Sequence, residues 1–245
     1  MADFNLGQHF MIDRKAILRL VSHVPEGKVI LEIGPGTGIL SRELKSKAKK
    51  LILIERDKRF EPYLKDYDVI FDNVLEMKKL PKFEVVVSNL PFNIVEPLFF
   101  KLLRVDFEEA YLTISKRTYK KLTSRTSKLG HIVSHFFDIE KLEEFDKDSF
   151  YPQPRVRAVL VRVRPKKDGD SLVKKFLRMY DKKVKNALID TFIGIKTKNQ
   201  VRELFVRFDE AVLNTRVRNI SLEDLKRIEA MLLEEERNLR RKESS

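Results

Sequence analysis

The chain of 245 residues has no cysteine and no tryptophan. The first absence excludes disulfides and thiolate-held metal centres. No apolar run approaches the roughly 20 residues that a membrane-spanning helix needs. The opening Met1-Ala2-Asp3-Phe4-Asn5 lacks the basic-then-apolar pattern of a secretory leader. A cytoplasmic protein with no membrane partner is therefore expected. There is no internal repeat, and no extended apolar seam asks for a second copy, so a monomer is expected. No Lys-Ser or Lys-Thr follows the glycine-rich stretch at 34–38, which argues against phosphoryl transfer.

Positive charge, by contrast, is plentiful. Lys and Arg number 50 against 37 Asp and Glu, a net charge of +13. The basic residues run the whole length of the chain, so a polyanion is the natural class of partner. The hydrophobic fraction of 42% supports a real core beside a charged fraction of 36%. Abundant Lys, Arg and Glu without Cys or Trp is compatible with a hot-living source.

Short apolar runs alternate with helix-period stretches through the first two-thirds. Strands are expected at 29–33, 51–54, 69–71, 85–88, 110–114, 132–137 and 156–163, with a helix after each of the first two. This alternation predicts an α/β fold with a parallel, doubly wound sheet. Asp13 is placed to cap a helix carrying Ile17, Leu18, Leu20 and Val21. After Pro165 the pattern becomes helical, and Ser221-Leu222-Glu223-Asp224 resembles a capping box. The expected division is a catalytic domain over 1–166 and a small helical domain over 167–245.

Gly34, Gly36 and Gly38 follow the first long strand and precede a helix. Glycines there allow a tight turn and close backbone approach to a ligand. Glu55 ends the next strand, where an acid can accept hydrogen bonds from both ribose hydroxyls. Asp72 ends the third, where a carboxylate can take an adenine amine. Three such features at successive strand ends point to a nucleotide-type cofactor. Asn89-Leu90-Pro91-Phe92 ends the fourth strand. An exocyclic amine is a poor nucleophile because its lone pair is delocalised into the ring. The Asn89 side-chain oxygen and the Leu90 carbonyl can accept both of its protons, Pro91 stiffens the loop, and Phe92 can stack on the base. Together these residues indicate methyl transfer from S-adenosylmethionine to the exocyclic amine of a base.

With these motifs the chain resembles, over nearly its whole length, the KsgA/Erm family of rRNA adenine N6-methyltransferases. Asn5-Leu6-Gly7-Gln8-His9-Phe10-Met11, Glu32 to Gly38, Asn89 to Phe92, Phe150-Tyr151-Pro152-Gln153-Pro154-Arg155-Val156 and Arg218 to Glu223 carry the likeness, with Glu55 and Asp72 between them. The resemblance implies a Rossmann-like class I S-adenosylmethionine-dependent methyltransferase sheet with a small C-terminal helical domain that docks on RNA. It implies that Gln8, His9, Gly34, Glu55, Asp72 and Asn89 hold the cofactor. It further implies that Asn89, Leu90, Phe92 and Phe150 hold a flipped adenine, Phe150 as the second stacking ring. The small-subunit branch is the leading expectation: dimethylation of adjacent adenosines near the 3′ end of small-subunit rRNA, on immature subunits during ribosome biogenesis. A large-subunit, Erm-type target and a weakly catalytic RNA-binding assembly factor remain as alternatives. Four positions depart from the family pattern: His9 for Asn, Phe92 for the common Tyr, Arg117 for Glu and Arg157 for an acid.

Lys116, Arg117, Lys120, Lys121, Arg125 and Lys128 form a basic cluster expected to hold RNA phosphates, extended by Lys182, Lys183 and Lys185. His131 and His135 are four apart, a spacing that suits a metal on a helix. They fall in an expected strand without a nearby acid, so they read as structural or surface residues, and no metal is expected.

Overall fold

Runs of Val, Ile and Leu set the strands, and the order in which those strands line up sets the site. The computed structural model describes residues 9–89, 91 and 94–243. Gln8, Leu90 and Phe92, three of the expected site residues, lie outside the described residues. The elements are β1 (Phe10–Met11), α1 (Arg14–His23), β2 (Val29–Ile33), α2 (Ile39–Lys45), β3 (Lys50–Glu55), β4 (Asp68–Phe71), β5 (Val85–Asn89), α3 (Val95–Leu102), β6 (Glu109–Ser115), α4 (Lys116–Thr123), α5 (Lys128–Phe136), β7 (Phe137–Phe145), β8 (Phe150–Tyr151) and β9 (Ala158–Pro165). Helices follow: α6 (Leu172–Arg178), α7 (Val184–Thr191), α8 (Lys198–Glu203), α9 (Glu210–Asn214) and α10 (Leu222–Glu243).

The chain divides into two units. The first holds the described residues up to Ser124 together with Phe137–Lys166; the second holds Arg125–Phe136 and the residues from Lys167 onward. A single cut near residue 166 therefore does not describe the division, because α5 belongs with the helices of the second unit.

In the first unit, seven strands run in the order β4-β3-β2-β5-β6-β9-β7. The five from β4 to β6 are parallel, β9 is antiparallel to β6, and β7 is antiparallel to β9. β2 lies between β3 and β5, so the strand order reverses there, and a crevice opens at the carboxyl ends of such strands. The apolar stripe of α1, Ala16, Ile17, Leu20 and Val21, packs into one core with Leu40 and Leu44 of α2. Asp13 caps α1, accepting the Lys15 N–H at 2.9 Å.

Three segments depart from the expected pattern. After β3 there is only a 3-10 stretch, Lys58–Tyr63, with Pro62 inside it; proline has no N–H to continue an α-helix. The expected strand at 132–137 is helix α5, in which Leu129, Ile132, Val133 and Phe136 are buried. Their spacing of three and four residues is the helical period. The strand begins only at Phe137 and is dense in charge: Asp138, Glu140, Lys141, Glu143 and Glu144. β7 is the sheet edge, where charge and a bulge between Lys141 and Glu143 blunt further pairing. The arginines of β9 answer it, with Arg162 2.6 Å and Arg164 3.4 Å from Glu140.

In the second unit Phe176, Leu188, Phe192, Leu225, Ile228 and Leu232 are buried. The Ser221 hydroxyl accepts the Asp224 N–H at 3.0 Å, which starts α10. Lys128, expected on the RNA surface, has a different task. Its ammonium donates to the carbonyls of Arg218 and Ile220, each at 2.6 Å, just ahead of α10. Charge-assisted bonds of this kind stabilise by about 1–3 kcal/mol. Lys128→Met should therefore lower stability by about 1–2 kcal/mol, since the lysine is half-buried. Urea unfolding followed by far-UV circular dichroism measures this, and an unchanged midpoint would mean that the ammonium contributes no net stability.

Candidate active site

A cavity of about 540 Å³ opens at the carboxyl ends of β2, β3, β4 and β5. That volume is within the range of small-molecule sites, roughly 300–1,000 Å³. His9, Gly34, Gly36, Glu55, Asp72, Asn89 and Pro91 all lie on its wall, as the sequence leads one to expect. Gly38 and Phe150 do not.

The loop after β2 needs its glycines. Gly34, Gly36 and Gly38 hold φ values of 72°, 55° and 75°, a region that side chains with a Cβ rarely enter. At Gly36 an added Cβ would lie 2.8 Å from the ring of Phe10, whereas at Gly34 it would meet nothing within 4 Å. Gly34 thus leaves backbone open to a ligand. Gly38 closes a turn, its N–H bonded to the Pro35 carbonyl at 3.0 Å.

The acids fall at the strand ends. Glu55 is buried. One of its oxygens accepts the Gly36 N–H at 3.0 Å and the other accepts the Asp57 N–H at 2.8 Å. A carboxylate has about four acceptor positions, so capacity for ribose hydroxyls remains. Asp72, at the end of the adjacent strand, is exposed and accepts the Asn73 N–H at 2.7 Å. Asp57, also on the wall, is held below the usual carboxylate range by hydrogen bonds from the Arg59 guanidinium.

Glu32 also lines the cavity, in the middle of the β2 apolar run, although it is not among the residues expected to form the site. A charge type inside a buried strand was the available signal. Burial raises its carboxyl from 4.5 to about 8, the negative Glu55 adds to the rise, and the Ser41 hydroxyl opposes it. No hydrogen-bond geometry joins that pair: Glu32 Oε2 and Ser41 Oγ are both buried without a partner among the described residues. The donor set fits S-adenosylmethionine. There are two strand-end acids, an open glycine cradle, and a buried carboxyl oxygen without a partner.

Asn89 ends β5. Its side-chain amide donates to the His9 carbonyl at 2.9 Å, which leaves Oδ1 as its acceptor. The His9 ring Nδ1 lies 2.7 Å from the Pro152 carbonyl, so Nδ1 carries the proton. Phe150, expected as the second stacking ring, lies off the cavity wall. It is 1% exposed, on β8 paired with β1, and its ring meets Phe145 edge-on at 6.4 Å. Its neighbour Tyr151 is 61% exposed, as the alternation of a strand requires.

The basic cluster is divided. Lys116, Arg117, Lys120 and Lys121 sit on α4, while Arg125 belongs to the second unit. Lys116 is 2.7 Å from Glu144. Hydrogen bonds from Lys116 and Lys141 hold that carboxyl down at about 2. Arg157 lies 3.0 Å from Asp146 and 3.5 Å from Glu144, so this departure from the family pattern has carboxylates to meet it. Arg117 and Lys120 are exposed.

The raised Glu32 carboxyl has a measurable consequence. Folding without ligand keeps its proton, so its contribution to stability is complete below about pH 4.5 and is lost as pH rises toward about 8. The slope is about 1.4 kcal/mol per pH unit where the folded protein alone holds the proton. In Glu32→Gln that ionisation is gone, so stability relative to the parent should rise steadily from about pH 5 to pH 8 in urea unfolding. Parallel curves for the two proteins would mean that Glu32 is ionised when folded.

Comparison with known proteins agrees with this geometry. A family profile described as "Ribosomal RNA adenine dimethylase" matches residues 2–236. A Pyrococcus abyssi protein named "Probable ribosomal RNA small subunit methyltransferase A" is 33% identical, over 94% of this chain and 91% of its own. A Thermotoga maritima protein named "Ribosomal RNA small subunit methyltransferase A" is 28% identical, over 90% of this chain and 82% of its own. Among solved structures, a dimethyladenosine transferase from Plasmodium falciparum superposes with a TM-score of 0.61 at 23% identity, covering 89% of this chain and 95% of that one. The 23S rRNA methyltransferase ErmE gives 0.57 at 20% identity, covering 89% and 97%. At those identities the structural likeness establishes the class I methyltransferase fold. The profile match across almost the whole length establishes more: the chain belongs to the ribosomal RNA adenine dimethylase family.

Proposed function

We propose that this enzyme dimethylates N6 of adjacent adenosines near the 3′ end of small-subunit rRNA, acting as a monomer on immature subunits in the cytoplasm. The observation that carries the reading is the Asn89 amide, whose nitrogen is tied to the His9 carbonyl so that its oxygen is the acceptor at the cavity rim. The small-subunit names of the Pyrococcus and Thermotoga relatives favour that subunit over the large-subunit alternative.

S-adenosylmethionine, when bound, supplies an electrophilic methyl group on a sulfonium. The protein's own part is placement. Gly34, Gly36, Glu55 and Asp72 hold the cofactor by backbone and carboxylate contacts. Asn89 Oδ1 and the Leu90 carbonyl accept the two N6 protons, which favours a pyramidal nitrogen with its lone pair turned to the methyl. Phe92 stacks on the base, an interaction of about 1–3 kcal/mol, and Pro91 limits the motion of the loop. No strong base is needed, because the proton becomes acidic once the nitrogen is alkylated. Catalysis is then orientation and electrostatics.

Asn89→Ala should lower methyl transfer by about 100-fold or more, measured with labelled cofactor and unmethylated small subunits, while RNA binding stays near the parent level. Transfer at the parent rate would remove Asn89 from the mechanism.

Basic residues on each unit hold RNA phosphates: Arg117, Lys120 and Lys121 on α4, and Arg125 in the second unit. Such bonds position RNA without reading sequence. Lys116 serves chiefly to balance Glu144. Reversing Arg117 and Lys120 to Glu should weaken RNA binding and flatten its salt dependence, by roughly one unit of log–log slope for each phosphate no longer neutralised. Cofactor affinity should not change, and an unchanged salt slope would exclude both residues from the interface.

A further inference from the structure

Outside the cavity, the second unit holds a cluster that the methyl-transfer chemistry does not use. His131 and His135 lie one turn apart on α5, and Glu229 of α10 meets both. His131 Nε2 is 2.6 Å from one Glu229 oxygen, and His135 Nε2 is 3.3 Å from the other. The three ligand atoms lie within 4.8 Å of one another.

The Glu229 side chain is 8% exposed, and the 3.3 Å contact of its Oε1 with His135 lacks hydrogen-bond geometry. Burial works to raise this carboxyl, yet the two histidines, His135 first, outweigh burial and hold it below its ordinary value. The two imidazoles are the leading charged groups that act on it. A buried carboxylate facing two imidazoles is short of positive charge whenever the imidazoles are neutral, and a divalent cation supplies what is missing.

We propose that His131, His135 and Glu229 form a binding site for a first-row divalent cation, zinc foremost. Two imidazole nitrogens and one carboxylate oxygen suit zinc and its neighbours and do not suit magnesium or calcium. Ligand atoms about 2.0–2.2 Å from a common tetrahedral ion lie about 3.4 Å apart. The His131–Glu229 pair therefore opens by less than about 1 Å to admit the metal. The His135 side chain is 30% exposed, so water can take the fourth position. The ion staples α5, a segment inserted between two elements of the methyltransferase sheet, to the C-terminal helix. All three ligands belong to the second unit, so the site is structural and does not depend on the proposed RNA target.

The test uses the full chain, purified without an affinity tag and stripped with a chelator. Zinc chloride is titrated by calorimetry near pH 7.5, and cobalt(II) by visible absorption. One ion should bind per chain, cobalt should give the intense visible bands of a low-coordinate site, and zinc should raise the unfolding temperature by several degrees. His135→Gln and Glu229→Gln, each confirmed as folded by circular dichroism, should lower zinc affinity at least tenfold and abolish the cobalt bands. His23→Gln should leave both unchanged. Binding that does not saturate at one ion below about 100 µM zinc would overturn the proposal. So would parent-like affinity in both ligand variants.

Discussion

The carboxylate of Glu55 joins two loops that would otherwise leave neighbouring strands independently. β2 and β3 pair in parallel with Ile33 opposite Ile54, so Glu55 stands beside the start of the glycine loop. One oxygen fixes the Gly36 N–H and the other fixes the Asp57 N–H. Gly36 can then hold its positive φ with Phe10 packed directly over it, and Phe10 in turn meets Phe60 edge-on at 5.7 Å. The cavity wall thus follows from one buried acid whose bonds to the backbone are charge-assisted and stronger than neutral ones. The same side chain that lines the cavity also shapes the loop beside it.

A second carboxyl nearby creates an electrostatic asymmetry. Glu55 has two backbone donors, whereas Glu32 is more deeply buried and has an oxygen without any. Their environments separate them: the negative Glu55 is among the causes that push Glu32 up to about 8. Arg56, Lys58 and Arg59 line the same crevice, Arg59 paired to Asp57, so Glu55 and Asp72 are the carboxylates left to face a ligand's positive charge. S-adenosylmethionine carries it on both sulfonium and ammonium groups.

Much of this arrangement is legible in the sequence because it depends on strand ends. A buried parallel strand reads as an unbroken apolar run, so the first polar residue after Leu51-Ile52-Leu53-Ile54 locates the wall, and Glu55 is found. The same logic finds Asp72, and it comes within one residue of Asn89, which follows Ser88. It fails where composition and structure part. Ile132-Val133 favours a strand locally, but the period of Leu129 to Phe136 is helical and packing decides for helix. β7 hides behind its charges, which an edge strand tolerates and a buried one does not. Phe150 and Tyr151 are adjacent aromatics, and resemblance alone does not say which faces the core; pairing with β1 makes it Phe150. Lys116 counts as one more basic residue until Glu144, 28 positions away, is brought to it.

His9 shows how the backbone can accommodate a departure from a family pattern. The segment holding Asn89 in place is assembled from residues 80 and 143 positions apart in sequence, since His9 gives its carbonyl to Asn89 and its ring to Pro152. The carbonyl is backbone, so any residue at position 9 offers it. The ring must only donate a proton to the Pro152 carbonyl, and an asparagine amide is also a donor. What orients the Asn89 oxygen is therefore the path of the chain through β1, itself held by pairing with β8. Substitution at position 9 should therefore change the ring's bond to Pro152 while the backbone bond to Asn89 remains available.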